Sequence, residues 1–250
     1  MSKVALITGG ASGIGLAVAK NLVSQGINVV INDINDEGSK IAKNIGASFI
    51  KTDLALADNC KKLIEQVVST FGSIDILVNN AGIQYVSPIE EFPVEKWQFI
   101  ISLMLTAPFL LIKYTFPYMK KNNWGRVINI NSIHGLRASE YKVAYVSAKH
   151  GLTGITKVAA LEGAKNNITV NSICPAYVRT PLVENQIDDQ AKSHGIPKDK
   201  VIEEIMLKRV AIKKLVEPED IGAFVTFLCS DAACCITGSM LPIDCGWSAM

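Results

Sequence analysis

The chain has 250 residues, of which 49% are hydrophobic and 19% charged, and a formal net charge of +2. That balance excludes a disordered chain, and the near-neutral charge leaves no electrostatic footprint for nucleic acid or an anionic membrane. The length suits one large α/β unit with a sizeable core.

The opening MSKVALITGG turns at glycine before the apolar core of a signal peptide could form. Residues 4–7 read as a strand that runs into Gly9, Gly10, Gly13 and Gly15, and a helix is predicted over 13–25. Glycines between a first strand and a first helix let backbone N–H groups approach a pyrophosphate. Gly9, Ser12, Gly13, Ile14 and Gly15 are therefore candidate cofactor residues. The second strand, 28–32, ends at Asp33, 18 residues after Gly15. A carboxylate there accepts hydrogen bonds from both ribose hydroxyls of NAD and repels the 2′-phosphate of NADP. No Arg or Lys stands in the loop or beside Asp33, so NAD is the expected cofactor.

A helix over 37–44, a strand over 48–51, a helix over 57–71 and a strand over 74–79 follow. The next predicted helix, 94–121, is apolar on every side, so the sheet covers one face and a second subunit is expected to cover the other. Its middle, 100–112, is interrupted by Ser102, Thr106 and Pro108, so no unbroken apolar run reaches the roughly 18–20 residues of a membrane span. Strands over 126–131, 169–173 and 240–243 alternate with helices over 144–166 and 219–229. The strands are apolar nearly throughout, as in parallel sheets buried on both faces. The alternation predicts an α/β fold: a doubly wound parallel sheet of about seven strands, with helices on both faces, in a single domain over 1–250. The polar stretch 182–215 breaks the rhythm after a strand's carboxyl end, where a lid over the site is expected. Cys60, Cys174, Cys229, Cys234, Cys235 and Cys245 form no C-x-x-C pair, and none stands near a histidine at metal-ligand spacing. Free thiols in a reducing cytoplasm are expected, and no metal site.

Tyr145 and Lys149 stand four residues apart, on one face of a predicted helix. Ser132, at the end of the preceding strand, can sit beside them at the sheet's carboxyl edge. A free phenol titrates near 10. An ammonium about 4 Å away, at an effective dielectric near 20, would favour the phenolate by roughly 4 kcal/mol, about 3 pKa units before desolvation. Such a pair suits proton transfer from an alcohol.

In this order, the motifs at 8–15 (TGGASGIG), 53–54 (DL), 79–82 (NNAG), Ser132, 145–149 (YVSAK) and 175–180 (PAYVRT) resemble the short-chain dehydrogenase/reductase family over essentially the whole chain. The resemblance implies a catalytic Ser132, Tyr145 and Lys149, the last two also touching the cofactor. It implies Asp53 and Leu54 flanking the adenine, and Asn80, Ala81 and Gly82 along the cofactor's middle. Pro175, Val178 and Thr180 would lie at the nicotinamide. Five segments, at 79–93, 131–136, 144–151, 179–187 and 244–249, are similar to members that interconvert (R)-3-hydroxybutyrate and acetoacetate. That similarity implies Gln84, His134, Lys142 and Gln186 on the substrate carboxylate, Trp247 shaping the pocket, and a homotetramer with a dimer as fallback. From the residues alone, Lys142 reads equally as a solvated lysine and His134 as a satisfied loop histidine. His150 and His194 read as structural or solvent-facing. Two departures stand out: Met104 replaces an asparagine that the family usually carries, and Ala176 replaces a glycine. A reductase for another substrate, such as a β-ketoacyl thioester or a sugar, and a non-catalytic nucleotide sensor on the same fold are the alternatives.

Overall fold

The computed structural model describes residues 2–184 and 186–249; Met1, Asn185 and Met250, which belong to the expected domain and, for Asn185, to the expected lid, lie outside the described residues. The strands are β1 (Val4–Thr8), β2 (Asn28–Asp33), β3 (Ser48–Lys51), β4 (Ile76–Asn79), β5 (Gly125–Ile130), β6 (Ile168–Pro175) and β7 (Met240–Ile243). They form one seven-stranded sheet in the order β3-β2-β1-β4-β5-β6-β7, with every pairing parallel. The helices are α1 (Gly13–Ser24), α2 (Gly38–Ile45), α3 (Ala57–Phe71), α4 (Val94–Ile101), α5 (Ala107–Lys121), α6 (Val143–Gly163), α7 (Pro181–Glu184), α8 (Gln186–His194) and α9 (Pro218–Cys229).

Successive side chains of a strand point to opposite faces, and this alternation builds two cores. Val4 and Leu6 of β1 pack with residues of α3, α5 and α6, while Ala5 and Ile7 pack with residues of α1, α2 and α9. The doubly wound arrangement expected from the alternating sequence is thus the one observed. Most element ends fall within two residues of their predicted positions. Residues 74–75 precede β4 because Asp75 is tied to β1 instead, its carboxylate accepting the Val4 N–H at 2.9 Å.

The predicted helix 94–121 holds a turn of π-helix at Ser102–Thr106 between α4 and α5. By length and composition the whole of Val94–Lys121 could cross a membrane, with a mean hydropathy of 1.8 over its most apolar window. Averaging absorbs the interruptions that the unbroken-run criterion counts. Here the helix lies on the sheet, and Leu111, Ile112, Phe116 and Met119 enter the core. Residues of 182–215 form α7, α8, a short 3-10 turn and a second π turn at Ile202–Met206. They share a small apolar core of Val183, Ala191, Val201 and Met206.

Candidate active site

The strand order reverses between β1 and β4, and open α/β sheets bind ligands outside the carboxyl ends at such a point. A cleft of about 290 Å³ opens there, lined by Gly9, Ser12, Gly13, Ile14, Asp33, Asp53, Leu54, Asn80, Ala81, Gly82 and Thr180. Gly9 and Gly13 take positive φ values of 62° and 50°, a conformation that costs glycine least. A Cβ on Gly15 would lie 2.2 Å from the Gly9 carbonyl oxygen, so only glycine lets the loop close on the helix. Asn80 clamps the loop by donating its amide to the Thr8 and Gly9 carbonyls, both at 2.9 Å. Ser12 caps α1 without a side-chain bond, which leaves its hydroxyl and the first-turn N–H groups for an anion. Asp33 is held at the cleft's far end: one carboxylate oxygen accepts the Ala11 N–H at 3.0 Å and the other accepts those of Ile34 and Asn35. A glycine-lined cradle on a helix N-terminus, closed by a carboxylate, fits a nicotinamide dinucleotide.

A neighbouring cavity of about 100 Å³ is lined by Ser132, Tyr145, Lys149, Pro175, Val178, Thr180 and Met104. Ser132 caps a 3-10 turn, its hydroxyl accepting the His134 N–H at 3.1 Å. Lys149 is buried and donates to the Ile130 carbonyl at 2.6 Å. Its Nζ stands 5.5 Å from the centre of the Tyr145 ring. The expected acidification of the phenol needs correction. Desolvation pushes Tyr145 up to about 12, with hydrogen bonding from Ser132 offsetting a part. Desolvation likewise pulls Lys149 down to about 8. Burial sets the direction of both shifts. Met104 is buried on the π turn, and its Sδ and Cε approach Gly82, where a Cβ would crowd them. Its thioether offers no strong donor at this spot.

The third cavity, of about 590 Å³, is lined by Ser132 and Tyr145 and gathers Gln84, His134, Lys142, Gln186 and Trp247 from distant segments. Lys142 is no solvated lysine: it is 3% exposed and donates to the Tyr177 hydroxyl at 3.2 Å. Desolvation, followed by the Lys142 charge, lowers His134 to about 3, so its ring is neutral and offers one N–H. The ring stands edge-on to Tyr145 and to Trp247, with centroids 6.2 Å and 6.3 Å away. Gln186 spends one donor on the Leu182 carbonyl at 3.0 Å. His150 is exposed, as read from the sequence, and its Nδ1 lies 3.0 Å from the Val146 carbonyl. His194 is also exposed, as read from the sequence; it borders this cavity and packs edge-on against Tyr141 at 6.1 Å. Sequence reasoning also missed Tyr177, Gln190 and Arg209 on the wall. Gln190 could have been found, since it stands one helical turn after Gln186 on α8. Arg209, set 5.9 Å from the Trp247 ring centre, carries no local signal.

A family model described as Enoyl-(Acyl carrier protein) reductase matches residues 9–248. A D-beta-hydroxybutyrate dehydrogenase of Rhizobium meliloti (strain 1021) is 46% identical, covering 100% of both chains. One of the same name from Cupriavidus necator is 43% identical over 99% of this chain and 98% of its own. Among solved structures, an actinorhodin polyketide ketoreductase variant with NADPH superposes with a TM-score of 0.95 at 30% identity, covering 100% of this chain and 98% of its own. Sheet order, glycine cradle and full-length similarity agree: the chain belongs to the short-chain dehydrogenase/reductase family of oxidoreductases.

Proposed function

We propose that the protein interconverts (R)-3-hydroxybutyrate and acetoacetate with NAD, as a cytoplasmic homotetramer. One observation carries the substrate reading: a single cavity is lined by Ser132, Tyr145 and the buried Lys142. A buried cation without an acid beside it calls for an anionic ligand. Among the described residues, no carboxylate lies within ion-pairing distance of Lys142. The names of the two bacterial relatives support a small hydroxy acid as that ligand and supply its handedness.

In this reading Lys142, with Gln84, Gln186 and the neutral His134, holds the substrate carboxylate. Ser132 donates to the substrate oxygen, and Tyr145 Oη takes the hydroxyl proton during oxidation. A bound oxidised nicotinamide would supply the hydride acceptor and a positive charge beside the phenol. Tyr145 needs that charge, because burial alone holds it near 12. Lys149, fastened to the Ile130 carbonyl, keeps its cation at the cofactor side of the phenol. Asp33 supports NAD over NADP, since a carboxylate at that end repels a 2′-phosphate. The free thiols among the described residues suit a reducing compartment. Elements α7 and α8 and the turn Ile202–Met206 act as the lid.

The test is the appearance of reduced nicotinamide with each enantiomer of 3-hydroxybutyrate and each cofactor. The (R) acid with NAD should exceed every other combination by at least about a hundredfold in kcat/KM, the discrimination that lost hydrogen bonds and charge contacts produce. Equal rates with NADP would remove the role of Asp33, and no turnover of either acid would remove the substrate.

A further inference from the structure

The structure leaves one question at the carboxylate end of the cavity: what holds the Lys142 ammonium in place. Its side chain is a flexible four-carbon stem. It stands at the N-cap of α6, where the helix dipole opposes a cation. None of the ion pairs among the described residues includes it. The compensation comes from one side chain. The Tyr177 hydroxyl accepts from Nζ at 3.2 Å, and the ammonium lies 5.2 Å from the centre of the same ring. A phenol oxygen favours a cation without neutralising it.

Tyr177 is itself held from two directions. Its carbonyl accepts the Val216 N–H at 3.0 Å, which ties the segment after β6 to the segment before α9. Its ring packs against the apolar core shared by α7, α8 and the π turn Ile202–Met206. The chain of contact therefore runs from the covering helices to the phenol and from the phenol to the ammonium.

We propose that Tyr177 is a positioning residue for Lys142: its hydroxyl, fixed by the packed ring, keeps the ammonium aimed into the cavity without spending its charge, and so sets selectivity for an acid over an uncharged alcohol. The inference rests on the reading that Lys142 binds the substrate carboxylate. A carboxylate in its place would neutralise the ammonium and compete with the substrate. An apolar residue would leave the stem free to turn away.

The experiment is a double-mutant cycle on the full-length enzyme with NAD. Tyr177→Phe keeps the ring and its packing and removes the acceptor. It should raise KM for (R)-3-hydroxybutyrate about tenfold, the scale of a hydrogen bond to a charged group. kcat and the KM for NAD should stay within about twofold, since Ser132, Tyr145, Lys149 and the lining of the cofactor cleft are all unaltered. The methyl ester of the acid, which lacks the charge, should show no change between the two enzymes. In a Lys142→Ala background, adding Tyr177→Phe should leave KM where Lys142→Ala alone puts it, because Tyr177 acts through Lys142. An unmoved KM in the single variant, or an equal rise in both backgrounds, overturns the inference alone. No turnover of the acid by the unaltered enzyme defeats the substrate reading, and this inference with it.

Discussion

His134 and Lys142 line the same cavity, and the ammonium adds to a desolvation that already holds the imidazole near 3. The folded-state value lies below the ordinary 6.5, so the folded chain binds fewer protons than the unfolded chain between these limits. The cost is absent above pH 6.5, grows as pH falls, and levels off below about 3. At pH 5 it amounts to about 2 kcal/mol. A His134→Asn variant removes the titration, so its unfolding free energy should fall less between pH 7 and pH 5 by about that amount. Denaturant melts at the two pH values measure the difference, and parallel losses would show that the ring is solvated. The sequence puts Tyr145 and Lys149 one helical turn apart and Ser132 at the end of the preceding strand, an order that suggests a proton-transfer group. It is silent on their protonation, since desolvation depends on what covers them. The phenol accordingly lies above its free value where the pair in isolation predicts a fall.

At the scale of elements, the loop from β1 to α1 was legible because its geometry admits few residue types. Gly15 illustrates this: an added Cβ would meet the Gly9 carbonyl at 2.2 Å and the Asn80 amide nitrogen at 2.6 Å. Neither atom can yield without opening the cradle. Gly15→Ala should therefore destabilise the fold by about 2 kcal/mol, the scale of overpacking, and weaken NADH binding more than tenfold. Gly154, inside α6, faces open space. In the separated chain Gly154→Ala should stabilise by about 1 kcal/mol through helix propensity, its face being the one that carries Val158 and Leu161. Urea midpoints and an NADH fluorescence titration check both; equal midpoints for the two variants would show that the loop is compliant. The π turn at Ser102–Thr106 was not legible. One extra residue in a turn leaves the apolar pattern of 94–121 nearly unchanged, and only contact with Gly82 and the cavity shows where Met104 points.

At the scale of the molecule, the helices on one side of the sheet present apolar groups to solvent. Phe109 is 49% exposed, and Val158 and Leu161 of α6 are 56% and 79% exposed. Exposed apolar side chains on neighbouring helices are where the proposed second subunit would sit. Light scattering on the unaltered chain should give four times the 27.0 kDa chain mass. Leu161→Glu should lower that mass to a dimer or monomer by placing a charge where an apolar partner belongs. A monomeric mass for the unaltered chain would remove the interface.

Sequence alone determined the parallel sheet, its alternating helices, the glycine cradle and the one-turn spacing of Tyr145 and Lys149. Each of these follows from short-range rules: the period of apolar residues, the steric demand of a tight turn, the reach of one helical turn. Tertiary structure alone decided that Lys142 is buried, that His134 is neutral, and that Tyr177, His194 and Arg209 share a wall with Tyr145. Those facts come from segments far apart in the chain, and the dielectric and the contacts they create exist only once the segments meet.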